Sequence, residues 1–270
     1  MPILNKDMTL CISLAGRPSN IGTRFHNYLY DALGLNFIYK AFTTTDLPAA
    51  IGGVRALGIR GCSVSMPFKE AVIPLVDRMD LSAAAIDSVN TIVNNDGVLS
   101  AYNTDYLAVA SLLQQHQLPA DSSVMLRGSG GMAKAVAAAL RDNGFTKVTI
   151  VARNEHTGRK LAGLYGFGWQ SEPGQVRADL LINVTPLGMS GADEDALSFD
   201  LETVAEARTV FDVVAFPAET PLMTAAREAG KQVISGAEVI ALQAAEQFAL
   251  YTGIRPTPEQ VAAASEFSRA

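Results

Sequence analysis

The 270-residue sequence predicts an α/β protein with parallel sheets, and three of its features carry that expectation. Short apolar runs alternate with helix-length segments along most of the chain, as βαβ units require. A glycine-rich turn, Gly128 to Gly131, joins one such run to a strong helix former. With 49% hydrophobic residues, and with about 150 residues to a domain, the chain has material for one or two real cores.

The first series opens with strand-like Met8–Leu14, helix-like Thr23–Leu33, β-rich Phe37–Phe42, helical Leu47–Leu57 and a third strand at Ile59–Ser65. Val89–Asn94 and Val98–Tyr102 flank Asn95-Asp96-Gly97, whose Asp-Gly step predicts a hairpin because glycine accepts the positive φ of a tight turn. Asp105–His116 returns to a helical pattern and leads out of a first unit, residues 1–104. At Pro119–Ser123 the composition turns polar and a second series starts. Its strands are expected at Val124–Leu126, Val148–Ala152, Leu180–Val184, Val210–Val213 and Val233–Ser235, and its helices at Met132–Asp142, Thr157–Leu164 and Pro221–Glu228. This second unit spans 105–236. Helical Ala237–Thr252 and Pro256–Ser268 close the chain, and periodicity alone lets them pack on either unit.

Charge narrows the partners. With 27 acidic against 21 basic side chains and a net charge of −6, the chain lacks the basic footprint that nucleic acid or an anionic membrane demands. A small-molecule partner is expected, and nothing in the sequence sets an oligomeric state. No apolar run approaches membrane-spanning length. Lys6–Ala15 imitates a signal peptide only superficially, since Asp7 and Ser13 interrupt it, so a buried first strand and a cytoplasmic location are expected. Cys11 and Cys62, with His26, His116 and His156 far apart, give neither a disulfide framework nor a metal-ligand spacing, and no metal is expected.

Gly128-Ser129-Gly130-Gly131-Met132-Ala133 reads as G-x-G-x-x-A between a strand and a helix. The first glycine permits the turn, the second admits a pyrophosphate to backbone N–H groups, and Ala133 lets helix and strand pack closely. The helix N-terminus would add its unpaired donors. An ordinary turn is the competing reading. The next strand ends in Arg153-Asn154, where an NAD-preferring fold places an acidic residue for the ribose hydroxyl. Arg153 would instead pair with a 2′-phosphate, favouring NADP, or else is a solvated strand-end arginine.

Ser65-Met-Pro67-Phe-Lys69 follows a buried strand, and Pro67 suits the first turn of a helix capped near Ser65 or Met66. Lys69 would then sit at the positive end of the helix dipole, where an ammonium is disfavoured and proton exchange near neutral pH becomes feasible. A surface lysine is the alternative. Asp105 opens its helix and is either an N-cap or a partner that holds Lys69 through a charge-assisted hydrogen bond. Asn90, polar within Ser88–Ile92, is either a satisfied core amide or a ligand for substrate hydroxyls.

Taken together these segments resemble the shikimate dehydrogenase family nearly end to end. Ser63-Val-Ser65-Met-Pro67-Phe-Lys69 is similar to that family's N-V-T-x-P-x-K, Val89-Asn90-Thr91 to A-V-N-T, Asn103-Thr104-Asp105 to N-T-D and Gly128-Ser129-Gly130-Gly131 to G-A-G-G. Asn183-Val-Thr185-Pro-Leu-Gly188-Met189 is similar to N-x-T-x-x-G-M, Thr220-Pro221-Leu222 to T-P-L and Gln243-Ala-Ala245 to Q-A-A. The resemblance implies a substrate-binding α/β domain, formed by the first unit and the returning C-terminal helices, and a Rossmann domain that binds NADP. It implies reversible hydride transfer to a secondary alcohol on a small polyhydroxylated carboxylate, and a place in aromatic amino acid biosynthesis. By the same resemblance Lys69 and Asp105 are the catalytic pair, and Ser65, Asn90 and Gln243 bind substrate. Gly128, Ser129, Gly130, Gly131, Arg153, Thr185 and Met189 bind cofactor.

Three departures stand out. The family's S-x-S, which grips the substrate carboxylate, reads Asn20-Ile21-Gly22, with Ser19, Thr23, Arg17 and Arg24 as shifted substitutes. The family's tyrosine three residues after Asp212 is Ala215, and the second arginine of the cofactor turn is Thr157, with Arg159 two residues on. The leading expectation is therefore an NADP-dependent dehydrogenase, weak on shikimate and directed at a related cyclic hydroxy acid such as quinate or a substituted analogue. A nucleotide-binding sensor with little turnover is the alternative, although pure binding needs no acid/base pair. A methyltransferase would want an acidic residue where Arg153 stands.

Overall fold

The computed structural model describes residues 4–174 and 177–269, and the chain divides into two compact units. One runs to Leu107 and resumes at Ala241; the other is Ala108–Ile240. Both divisions fall inside helices, three and four residues past the changes of periodicity at 104/105 and 236/237. Periodicity marks where a helix starts, whereas the packing of its two ends decides which unit each end joins.

In the first unit, β1 (Thr9–Leu14), β2 (Phe37–Phe42), β3 (Gly61–Val64), β4 (Arg78–Met79), β5 (Thr91–Asn95) and β6 (Val98–Tyr102) form a mixed sheet in the order β2-β1-β3-β5-β6-β4. β1 is parallel to β2 and β3, while β5 runs antiparallel to β3 and β6. Both faces of the sheet are covered, so alternate residues of one strand enter different cores. Ile12 and Leu14 join Val64, Ile92 and the residues of α2 (Leu47–Ala56), whereas Cys11 joins Phe25, Tyr39 and Phe248 under α1 (Asn20–Ala32), α9 (Gly236–Thr252) and α10 (Pro258–Arg269). The C-terminal helix packs on α1, so the end of the chain completes the unit that its beginning started.

The second unit is a parallel sheet of β7 (Val124–Arg127), β8 (Val148–Val151), β9 (Gly168–Gln170), β10 (Leu180–Asn183), β11 (Thr209–Asp212) and β12 (Gln232–Ser235), ordered β12-β11-β10-β7-β8-β9. The chain starts at the middle, winds outward through β8 and β9, then returns to the other side of β7. This is the 3-2-1-4-5-6 order of dinucleotide-binding sheets, and its order reverses between β7 and β10. The helix after β7, α5 (Gly131–Asp142), buries an alanine-rich face, and α6 (Glu155–Tyr165) follows β8.

Five short elements among the described residues escape the sequence pattern: β4, β9, α3 (Leu81–Ala84), α7 (Leu201–Glu206) and the single 3-10 turn Ile73–Leu75. Each is too short for a period to show. Between Thr104 and Glu228 the longer helices α4 (Thr104–Gln115) and α8 (Pro221–Glu228) lie where expected.

The core of the first unit encloses a histidine. His26 is completely buried, stacked 4.5 Å from the Tyr39 ring and near the Phe248 and Tyr251 rings. Burial lowers its pKa from 6.5 to about 3, so the ring stays neutral. A folded value below the unfolded one means the stabilisation is complete above pH 6.5 and is lost as the pH falls from 6.5 toward 3. Urea unfolding should therefore show stability dropping below pH 6.5 with a slope approaching about 1.4 kcal/mol per pH unit. His26→Leu should flatten that slope above pH 5, the range in which carboxylates still contribute little; an unchanged slope there would contradict the assignment.

Candidate active site

Asn90 sits one residue before β5 and is 3% exposed. Its Oδ1 accepts from the Thr91 hydroxyl at 2.8 Å, the Thr104 N–H at 2.8 Å and the Thr104 hydroxyl at 3.1 Å. One amide oxygen thus clasps the start of β5 to the start of α4. Of the two readings left open by the sequence, the oxygen answers to the satisfied core amide, while Nδ2 has no hydrogen-bond partner among the described residues.

The N-terminus of α4 is capped by Asn103, whose Oδ1 accepts from the Tyr106 N–H at 3.0 Å. Asp105 is therefore not the cap. It lies in the first turn, and its Oδ2 receives the Lys69 Nζ at 2.7 Å, with the two side chains 20% and 30% exposed. The helix expected to begin at Pro67 is absent: the Met66–Pro67 bond is cis and residues 66–72 form consecutive turns. Lys69 therefore lies in a turn and not in the first turn of a helix of its own. What places it is a carbonyl, since the Lys69 oxygen accepts from the Val89 N–H at 2.9 Å, next to Asn90. Ser65, at the head of these turns, is exposed, and its N–H donates to the Leu14 carbonyl.

Sheet register lines up three hydroxyl residues, with Ser13 opposite Ser63 and Ser63 opposite Thr91. Tyr39 meets this row: burial raises its phenol above the ordinary value, opposed by hydrogen bonds with the Ser63 and Ser13 hydroxyls. From α9, Gln243 donates to the Thr104 hydroxyl at 3.1 Å, and Gln247 donates toward Thr91 Oγ1 at 2.9 Å and Ser63 Oγ at 3.2 Å. The structure thus brings Asn90, Gln243, Lys69 and Asp105 into one hydrogen-bonded region. Thr104, Tyr39 and Gln247 were missed. The one available signal for Gln247 was its i, i+4 spacing from Gln243.

At the start of α1, Ser19 is the N-cap residue but makes no side-chain cap bond. A Cβ on Gly22 would lie 3.7 Å from the Tyr39 hydroxyl, so a side chain there would stand over the hydroxyl row. Of the substitutes considered for the missing hydroxyls, Thr23 has its Oγ1 buried, and Arg24 is held by the Phe267 carbonyl and stacked over the Phe267 ring.

In the second unit the Gly128–Gly131 loop lies at the carboxyl end of β7, at the switch point. Gly128 has φ +127°, and a Cβ there would come within 2.7 Å of Val184, so the turn requires glycine. Gly130 is the N-cap of α5 and offers no side-chain cap; a Cβ on Gly130 or Gly131 would meet nothing within 4 Å. The start of α5 is thus uncapped by its N-cap side chain, with open space beside both glycines. The Ser129 hydroxyl contacts Thr157 Oγ1 at 2.8 Å. Arg153 is exposed and makes no hydrogen bond or ion pair among the described residues, while Arg159 is tied to Glu155 at 2.7 Å and stacked on Trp169.

The other side of the switch point is ordered by a buried carboxylate. Asp212 accepts from the Thr220 hydroxyl at 2.6 Å, Asn183 Nδ2 at 3.0 Å and the Val214 N–H at 3.1 Å. Burial raises its pKa, opposed by these donors. Asn183 in turn accepts from the Thr185 hydroxyl at 2.6 Å, and the Ser190 N–H donates to the Phe216 carbonyl at 3.0 Å. The loops carrying Thr185, half-exposed Met189 and Ala215 are thus one network.

A dinucleotide-type sheet in one unit and a paired lysine and aspartate in the other define a two-unit α/β protein of the dehydrogenase class. Residues 20–92 match the family model described as the shikimate dehydrogenase substrate binding domain. The chain is 56% identical to a shikimate dehydrogenase-like protein of Haemophilus influenzae, covering 99% of both chains. It is 36% identical to the shikimate dehydrogenase (NADP(+)) of Moorella thermoacetica, over 92% of this chain and 90% of that one. The solved shikimate 5-dehydrogenase of Thermus thermophilus, in complex with NADP(H) and shikimate, superposes with a TM-score of 0.87 at 28% identity, covering 97% and 100% of the two chains. The chain belongs to the shikimate dehydrogenase family.

Proposed function

We propose that this protein is an NADP-dependent oxidoreductase acting on a secondary alcohol or ketone of a shikimate-like cyclic hydroxy acid, and that it handles shikimate itself poorly. The observation that carries the reading is the 2.7 Å contact of Lys69 with Asp105, in the hydrogen-bonded region of Asn90, Thr104 and Gln243. Membership of a family whose relatives are named as NADP(+) enzymes, one solved with NADP(H) and shikimate, supports the cofactor and the substrate class.

The chain's residues fit the cofactor. The uncapped start of α5 and the open faces of Gly130 and Gly131 leave N–H donors for a pyrophosphate, and Arg153 is a cation free for a 2′-phosphate. When bound, the nicotinamide supplies the hydride donor or acceptor. Thr185 and Met189 sit on the loop across the switch point and are assigned to the same ligand.

Lys69 moves the proton. In reduction its ammonium gives a proton to the oxygen that becomes the alcohol; in oxidation the amine takes it back as the carbon–hydrogen bond breaks. Asp105 accepts a hydrogen bond from Nζ and fixes where the proton is delivered. Asn90 Nδ2, without a partner among the described residues, and Gln243 hold ring hydroxyls, with Ser65 at the edge of the turns. The altered grip lies at Asn20, Gly22 and Ala215; of the shifted substitutes Thr23 is buried and Arg24 occupied, while Arg17 and Ser19 are exposed and Ser19 makes no cap bond.

Lys69→Ala should lower turnover by roughly 10²–10⁴ with NADP affinity unchanged. Asp105→Asn should act in the same direction without loss of folding, because Asn103 caps α4. An unaltered rate in the Lys69 variant would refute the mechanism. Removing a charged contact by Arg153→Ala should weaken NADP about ten- to a hundredfold and leave NAD nearly untouched, as read by fluorescence titration. Equal losses for both cofactors would count against the 2′-phosphate role. Across a panel of cyclic hydroxy acids with NADP, shikimate should show a KM far above the micromolar range, with a specificity constant about 10²–10⁴ below that of a relative with all three hydroxyls. A low micromolar KM would overturn this part of the reading.

A further inference from the structure

We infer that Gln247 is the positioning residue of the substrate site, and this rests on the reading just given. Its side chain is 3% exposed, on the same face of α9 as Gln243 one turn earlier. The two hydrogens of its Nε2 meet three acceptors: Thr91 Oγ1 at 2.9 Å, Ser63 Oγ at 3.2 Å and the Asn90 carbonyl at 3.3 Å. These belong to the residues on either side of the Asn90 clasp. The Asn90 carbonyl also accepts from the Val64 N–H at 2.8 Å, so Gln247 and β3 together fix the peptide that carries the Asn90 amide. Thr91, held by Gln247, donates its own hydroxyl to Asn90 Oδ1 at 2.8 Å.

The resembled motif has asparagine where this chain has the shorter Ser63, and the carboxamide on the hydroxyl row comes instead from α9. Gln247 thereby links that row to the Thr104–Gln243 contact by a second route, independent of Lys69 and Asp105. Its action is on orientation. A residue this deep has no access to the reacting atoms, but the direction of Asn90 Nδ2 depends on it.

The test compares Gln247→Leu, which keeps the volume and removes the donors, with Gln247→Glu, in wild-type background with NADP and the best hydroxy acid of the panel. Gln247→Leu should raise KM about ten- to a hundredfold with a smaller change in kcat, and leave NADP affinity intact. Gln247→Glu can donate only when its carboxylic acid is protonated, so its KM should approach the wild-type value at low pH and rise as the pH increases. His26 packs beside this position and an ionised carboxylate here would itself cost stability, so urea unfolding of Gln247→Glu at each pH separates the KM effect from loss of folded protein. The side-chain amide resonances of Asn90 and Gln243 in ¹⁵N-labelled protein report without turnover, and both should shift in either variant. Unchanged KM in the Leu variant or unmoved amide resonances would overturn the assignment, as would a KM of the Glu variant raised equally at every pH. Wild-type protein that oxidises no member of the panel would instead overturn the proposed activity, while the amide resonances would still decide the role of Gln247.

Discussion

A single buried amide oxygen organises the first unit's site. Asn90 Oδ1 takes three donors at a buried position, where an unmade bond costs on the order of 1–3 kcal/mol. The chain leaving β6 must therefore start α4 where Thr104 can reach that oxygen. Asp105 follows Thr104 and its direction is then set by the helix. On the other side, Val89 donates to the Lys69 carbonyl, so the turns after Pro67 are referenced to the residue adjoining the clasp. The lysine and the carboxylate meet at 2.7 Å because both are measured from Val89–Thr91.

The second unit uses the same device with a charged group. Asp212, at the carboxyl end of β11, gathers Thr220, Val214 and Asn183, and Asn183 gathers Thr185. Two loops at the carboxyl ends of β10 and β11 are fixed by one carboxylate rather than by their own sequences. The desolvation that raises its pKa is offset by the donors around it, which is the condition for keeping such a group inside.

The departures from the family pattern fall on groups outside both networks. Asn20, Gly22 and Ala215 change what faces a ligand and break no bond of the Asn90 or Asp212 clusters. Val214, the neighbour of Ala215, keeps its N–H on Asp212, so the tyrosine's absence alters contact without altering the backbone. The Lys69–Asp105 pair and the residues at these departures can thus vary separately, because different elements position them.

The alternation of apolar runs determined the two α/β units, since strands buried on both faces and amphipathic helices have different periods in the sequence itself. The Gly128–Gly131 turn was legible because only glycine fits a φ of +127° against Val184. Lys69 and Asp105, 36 residues apart, were legible as members of motifs and, by the resemblance, as a pair, whereas the helix expected under Lys69 proved to be a series of turns. Whether Asp105 capped its helix depended on a two-residue choice that the Asn103 side chain makes in three dimensions. The hydroxyl row of Ser13, Ser63 and Thr91 exists only through strand register, and Gln247 reaches it from a helix 156 residues beyond Thr91. Sequence periodicity records which face of an element is buried; which polar groups share that interior is decided by the pairing of strands and the docking of helices distant along the chain.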